Sequence, residues 1–454
     1  VIGISLGARS QDFGFETTFL GQRLKVQRLG TDGSTAKAAK LLKHWNSRAD
    51  AIGLGLVKDS DRVSGKGAAR QLDGEAAPLR ALVTKAPLST GARLADLFLE
   101  WAVRHAQTTL GHYFDNANVL FFSGQANAKL AASMAEYTEN LQFADPLLQL
   151  GVPKLLTSLD ALHLYASGTH FVTDWAPPRA MPGALMRDWT HYVLRKAMAH
   201  ATVVVAPVHE LDGFGLEELA GKTIVTTTVN DERLAAFKAK GVNLVIDGAP
   251  VLSDHVLDPA LLDAMILAAT GKASDELLED DYLDILTGEG LEPRLLYPNG
   301  FKRVNRFAFV IHPLSQEYFK KLKPIEMLSR VSPPVFMDSL EKVMAYAPPF
   351  VYSHVGGIKS PTGVEVEGGL VSVGGTPKEI MSHAPEFTYR RLLAAADMAK
   401  KLGAQIMGLG AFTKVVGDAG VTVARRAPLP ITTGNSYSAS GALWAAHDAL
   451  LRMN

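Results

Sequence analysis

A chain of 454 residues is about three times a typical domain, so two or three domains are expected. Hydrophobic residues make up 47% and charged residues 20%, which supplies sizeable cores and excludes a disordered chain. Lys plus Arg and Asp plus Glu number 46 each, so no global field draws nucleic acid or an anionic membrane, and the lack of cysteine excludes disulfides, thiolate catalysis and Cys-ligated metal.

Val1 to Leu6 reads as a short strand. Phe13 to Leu20 and Arg23 to Arg28 alternate apolar and polar residues around Gly21-Gln22, a β-hairpin pattern. A turn at Gly30-Thr-Asp-Gly33 leads to a helix from Thr35 to Trp45 and a buried strand from Asp50 to Val57. Leu94 to Ala106 has helical spacing, Asn118 to Phe122 reads as a strand, and Ala126 to Tyr137 as a helix. Strands are expected at Val203 to Pro207, Thr223 to Thr227 and Asn243 to Ile246, with a further helix at Leu257 to Ala269. The charged stretch Asp275 to Asp281 and the loop Leu291 to Asn299 look like a join between lobes. Beyond it, Phe307 to Ile311 is a strand, and Pro333-Pro334 and Pro348-Pro349 are breaks. Val364 to Val373 alternates around Gly368-Gly369 as a second hairpin. Phe387 to Leu402 is a helix capped by Gly403, Gln405 to Leu409 a strand, and Ser436 to Arg452 a closing helix. Strands alternating with helices predict an α/β fold: mainly parallel sheets with flanking helices, plus β-hairpins, in two or three lobes. No apolar run reaches about 18 residues and no leader pattern opens the chain, so a cytoplasmic protein without a membrane span is expected. The balanced charge permits a homo-oligomer, and one is expected.

Six constellations could carry chemistry. No stretch fits the glycine-rich turn that lets backbone approach a pyrophosphate: the third glycine position is Lys58 after Gly53-Leu-Gly55, Glu218 after Gly213-Phe-Gly215 and Thr413 after Gly408-Leu-Gly410. In Leu429 to Gly441, Thr432-Thr433-Gly434-Asn435 enters a helix, where Thr433 or Asn435 caps it and free N–H groups meet a polar ligand, unless the stretch is a simple N-cap. Phe412, Thr413 and Lys414 end a buried strand, where a hydroxyl and an ammonium could hold a carbonyl or carboxylate, or form an ordinary turn. His312 and Ser315 follow another strand, and the imidazole suits acid–base work or a structural role; His354 has the same status. His209 to Asp212 has a weak acid–base look, and its spacing is poor for a metal, so none is expected. Gly30 to Gly33 with Asp50 to Gly55 reads as sharp turns between elements, with close ligand approach as the alternative.

These motifs resemble two known families. The segment from Phe307 to the end is similar to the amino-terminal region of cyanobacterial long-chain acyl-(acyl-carrier-protein) reductases. The match runs through Ile311-His-Pro-Leu-Ser315, Ala395 to Gly403, Gly408-Leu-Gly-Ala-Phe412 and Thr432-Thr-Gly-Asn-Ser-Tyr-Ser-Ala439. Val1 to about Gly271 resembles bacterial proteins labelled quinate 5-dehydrogenase, through Ile4 to Gly7, Leu20-Gly21, Arg28 to Gly33, Asp50 to Gly55 and Lys222 to Thr228. The resemblances imply lobes at 1–115 and 116–300, the two forming the quinate-dehydrogenase-like unit, and a substrate domain at 301–454. In the reductases a Rossmann domain follows the Thr-Thr-Gly-Asn helix, whereas this sequence stops at Asn454. The resemblance therefore implies an NAD(P)-dependent dehydrogenase or reductase acting on a carbonyl or hydroxy-acid substrate, with NAD or NADP held mainly by a following domain. On that reading His312 and Lys414 are catalytic, and Ser315, Phe412, Thr413, Thr433 and Asn435 hold the small-molecule substrate. Thr432 and Gly434 touch the cofactor. The alternative is a catalytically inactive homo-oligomeric binding or scaffold protein built from dehydrogenase-like parts.

Overall fold

The computed structural model describes residues 1–55, 76–173, 184–207, 211, 219–315, 317–318, 334–361, 363–410, 413 and 417–453. The fold is α/β, with mostly parallel sheets, and the chain divides into two compact units, Val1–Phe301 and Lys302–Asn454.

Unit 1 opens with β1 (Ile2–Ser5), β2 (Phe13–Phe19), β3 (Gln22–Gly30), α1 (Thr35–Trp45), β4 (Ile52–Gly55), α2 (Ala76–Arg80), β5 (Leu88–Ser89) and α3 (Ala92–Thr109). The strands form one sheet in the order β2-β3-β1-β4-β5, parallel except for the β2–β3 hairpin. The hairpin turns at Leu20-Gly21, one residue earlier than the sequence suggests, with φ of 49° and 75°. Two left-handed residues give the primed turn whose twist matches the strands. Ser34 caps α1 by accepting from Lys37 N at 3.3 Å.

The second sheet of unit 1 takes up β6 (Val119–Phe121), α4 (Ala128–Ala135), β7 (Leu141–Phe143), α5 (Asp145–Leu150), α6 (Leu159–Thr173), α7 (Ala184–His200), β8 (Val203–Val205), β9 (Thr223–Thr226), α8 (Asp231–Ala239) and β10 (Leu244–Asp247). A small hairpin, β11 (Val251–Leu252) and β12 (His255–Val256), precedes α9 (Pro259–Thr270), α10 (Glu279–Gly288) and β13 (Arg294–Leu296). The order is β13-β10-β9-β8-β6-β7, with only β13 antiparallel. Val119 and Phe121 enter one core and Leu120 the opposite one, so β6 is buried on both faces and reads as an unbroken apolar run. Helix α9 carries the chain back onto the first sheet and rests on β1, β3, β4 and β5.

Two corrections to the sequence reading follow. The charged stretch Asp275 to Asp281 and the loop Leu291 to Asn299 enter α10 and β13 rather than forming a bare linker, and the division falls after Phe301, one residue from the expected start of the last lobe at 301. Strand β13 completes the sheet beside β10, where Arg294 pairs with the fully buried Asp247. The glycines at 30 and 53 serve packing. A Cβ on Gly53 would lie 2.5 Å from Ala260 O, where the backbone of α9 lies on β4.

Unit 2 contains β14 (Val304–Ile311), α11 (Pro334–Ala345), β15 (Phe350–Lys359), β16 (Glu365–Ser372), α12 (Pro377–Ser382), α13 (Pro385–Lys401), β17 (Ile406–Leu409), α14 (Val421–Arg426), β18 (Ile431–Thr432) and α15 (Asn435–Met453). The order is β15-β16-β14-β17-β18, all parallel except β15 with β16. Ala308, Val310, Val371, Met407 and Leu409 pack under Leu392, Ala395, Ala396 and Ala399 of α13. Gly368-Gly369 is not a turn. It lies mid-strand in β16, and the hairpin instead closes near residues 360–364. The Phe307 ring of β14 covers Gly368, and a Cβ there would sit 2.3 Å from Phe307 Cζ. The glycine makes room for an aromatic neighbour, which a pattern of alternation does not reveal.

Candidate functional site

In unit 2 the chain runs from β14 to β16 on one side, then crosses to β17 and β18 on the other. The carboxyl ends of β14 and β17 therefore flank the point where strand order reverses, the usual ligand crevice of an open α/β sheet. The sequence-predicted residues that fall within the described chain gather along this edge.

His312 follows β14 and is 7% exposed. Its Nδ1 lies 3.1 Å from Pro313 O, and burial pushes the imidazole below its usual pKa. A neutral ring whose Nδ1–H donates to that carbonyl presents Nε2 as an acceptor. Ser315 is exposed a turn further on. Thr413 follows β17, but its hydroxyl donates to Gly410 O at 2.6 Å and the residue is 1% exposed, so it holds its own turn. Phe412 and Lys414 lie outside the described residues, as do His209, Glu210, Asp212 and the Gly213–Gly215 pair.

At the end of β18, Thr432 Oγ1 accepts from Gly434 N at 3.3 Å, and Gly434 has a φ of 68°. Helix α15 starts at the next residue, with Ser438 N bonded to Gly434 O. Neither Thr433 nor Asn435 caps it, contrary to the sequence expectation. Among the described residues, both side chains lack hydrogen-bond partners, Thr433 half-buried and Asn435 exposed. They stand beside first-turn N–H groups that have no acceptor within the helix. His354 lies instead on β15, exposed and antiparallel to β16. No group of three or more His, Asp or Glu among the described residues is placed to hold a metal.

Sequence reasoning missed the end of β16. There Val373, Gly375 and Thr388 line a small hollow, and Val373 N bonds Ile311 O at 2.9 Å. The Gly374-Gly375-Thr376-Pro377 stretch signals a strand-to-helix turn, and Thr376 does cap α12. The hollow itself depends on packing between α11, α12 and α13, which no local pattern encodes.

The second sheet of unit 1 has a first strand-to-helix turn of its own, Ser123 to Asn127 after β6. Its place is where a Rossmann fold seats a pyrophosphate. Here Asp145, 0% exposed, accepts from Gly124 N at 2.8 Å and Gln125 N at 3.0 Å. Gln149 Nε2 adds a contact at 3.4 Å. The chain's own carboxyl thus takes the amide donors a phosphate would use. Burial raises the pKa of Asp145 and outweighs those amide bonds.

Among the described residues these features give an α/β protein with three larger sheets, each with one antiparallel edge, a two-stranded hairpin, and a polar strand-end edge in unit 2. Comparison with known proteins adds family matches. Residues 93–298 match the family described as Domain of unknown function (DUF8754). Residues 1–90 match Domain of unknown function (DUF8753). Neither description names an activity. A stretch of 148 residues, 33% of this chain, is 26% identical to Aminotransferase PigE of Serratia sp. (strain ATCC 39006), and spans only 17% of that protein. A crystal structure of a galactofuranose binding protein aligns over 66% of this chain and 94% of its own, at 11% identity and a TM-score of 0.26. A Mycobacterium smegmatis structure in complex with β-D-fucofuranose aligns over 60% and 86%, at 12% identity and a TM-score of 0.23. Scores that low do not establish a shared fold.

Proposed function

We propose that unit 2 binds a small carbonyl or hydroxy-acid substrate and acts as the substrate half of an NAD(P)-linked dehydrogenase or reductase. The observation that carries this reading is that His312, Thr433 and Asn435 each follow the carboxyl end of a parallel strand of one sheet, β14 and β18, on either side of β17. The nicotinamide would supply the hydride exchange. Thr433, Asn435 and the first-turn amides of α15 would orient the substrate oxygen, since all are donors without internal partners. His312, uncharged near neutral pH, suits transfer of the hydroxyl proton when the carbon loses hydride, and its return in the reverse direction. None of the three larger sheets offers a glycine-rich phosphate turn among the described residues, and Asp145 fills the nearest equivalent. On this reading the nucleotide would be held by a Rossmann domain outside these sheets.

The test is calorimetric titration of the 454-residue protein with NADPH and, separately, with short aldehydes and hydroxy acids. The expected result is substrate-class binding that Thr433→Ala and Asn435→Ala each weaken about fivefold, the worth of one hydrogen bond. Tight NADPH binding by these residues alone, or no binding of either substrate class, overturns the reading.

A further inference from the structure

Helix α15 has no buried residue among its described side chains. Leu443, Trp444, Leu450 and Leu451 are 73%, 69%, 63% and 64% exposed. Single exposed leucines are ordinary on a protein surface, but these four are grouped. At about 100° per residue they fall, with His447 between them, in one stripe about 120° wide. Ala442, Ala445 and Ala449 lie on the opposite side of the helix. The two charged side chains beyond the stripe satisfy each other, Arg452 Nε lying 2.9 Å from Asp448 Oδ2. The helix also carries Gly441 in its interior. Without a buried face such a helix is marginal in water, because helices in folded proteins are held chiefly by packing.

The order of the stripe points to its occupant. Counted outward from His447, the large apolar residues stand three and four positions away in both directions: Leu450 and Leu451 on one side, Trp444 and Leu443 on the other. A twofold axis through His447 therefore sets Leu443 against Leu451 of an antiparallel second copy, and Trp444 against Leu450, each contact occurring twice. Asp448 and Arg452 lie off the stripe, so no like charges are brought together. The exposed parts of Trp444 and the three leucines come to roughly 200–400 Å² per copy. Even with His447 and the helix flanks added, this falls in the class of transient interfaces, below about 1,200 Å² in total.

We propose that α15 is the interface of a concentration-dependent homodimer, two copies packing antiparallel about a dyad at His447 with Trp444 as the anchor. The dyad lies about 18 Å along the helix from its first turn, so Thr433 and Asn435 remain open. The dimer requires neither a substrate nor a nucleotide, and it stands without the redox reading.

The experiment is sedimentation equilibrium of the 454-residue protein over a wide concentration range. The expected result is a monomer–dimer equilibrium with a Kd on the order of micromolar or weaker, as the small area implies. Trp444→Ala should weaken it at least about 30-fold, the cost of removing a central aromatic anchor. Leu450→Asp should leave a monomer, since pairing would bury a carboxylate against Trp444. Both side chains are exposed, so both variants should keep the native circular dichroism. The chain has no cysteine, so one introduced thiol reports one contact. With helix axes about 8–10 Å apart, two His447→Cys residues on the dyad bring their Cα atoms within disulfide range, about 4–7 Å. His447→Cys should therefore form a covalent dimer under mild oxidation, and Ala449→Cys, on the far side, should not. A monomer at every concentration overturns the proposal and leaves the stripe to another occupant, such as a different domain. So does a dimer that Trp444→Ala leaves unchanged, or equal cross-linking of the two cysteine variants.

Discussion

Asp145 illustrates how one buried carboxyl can govern a turn. It has a raised pKa in the folded chain because burial opposes its charge more than the Gly124 and Gln125 amides favour it. The folded state then holds the proton more tightly than the unfolded chain does. Its contribution to stability is full below the ordinary aspartate pKa of 3.8 and is lost as pH rises through the higher folded value. Asp145→Asn removes that titration while keeping one acceptor oxygen. The stability of wild type relative to Asp145→Asn should therefore be greatest in acid and shrink toward neutral pH, as measured by urea unfolding at pH values on both sides of the carboxyl range. A difference that grows with pH would show that the amides dominate and hold the group ionised. The sequence disclosed none of this, because Asp145 stands 21 residues after Gly124 and only the parallel pairing of β6 with β7 brings them together.

Among the elements, strands with glycine show where local pattern succeeds and fails. The hairpin of β2 and β3 was legible because alternation and a Gly sat at a two-residue turn. Helices α1 and α13 were legible from apolar spacing and end signals. Gly368 misled, because its cause is the Phe307 ring on the neighbouring strand. The two kinds of packing glycine should respond differently to a methyl group. A Cβ on Gly124 would lie 2.3 Å from Phe143 Cδ1 and 3.0 Å from both Leu162 δ-carbons, inside a fully buried core. Gly124→Ala should cost about 1–3 kcal/mol, the usual range for overpacking. For Gly368→Ala the three nearest atoms all belong to the outer end of the half-buried Phe307 ring, a side chain that yields more readily than backbone. The gain of about 0.5–1 kcal/mol from replacing a strand glycine offsets that movement, so the change should be near neutral. Denaturant midpoints of the two variants check the contrast, and equal losses would contradict it.

At the scale of the chain, strands alternating with helices foretold both the α/β class and the mainly parallel sheets, since strands buried on both faces are apolar throughout. The placement of His312 and Thr432 to Asn435 along one edge followed from each ending a strand. The internal bonding of Thr413 did not, because it is settled by tertiary packing. Among the described residues no helix is long and apolar enough to cross a membrane. A formal charge of zero at pH 7 leaves no net repulsion between copies. Solubility should pass through a minimum near neutral pH and rise in mildly acidic or alkaline buffer, as read by precipitation with a neutral polymer.

The β6 turn carries one further implication. Its two amides are saturated from within, so fluctuations in cellular phosphate or nucleotide concentration find no vacancy there to compete for. An anion would bind at this turn only by displacing the Asp145 carboxyl from both amides.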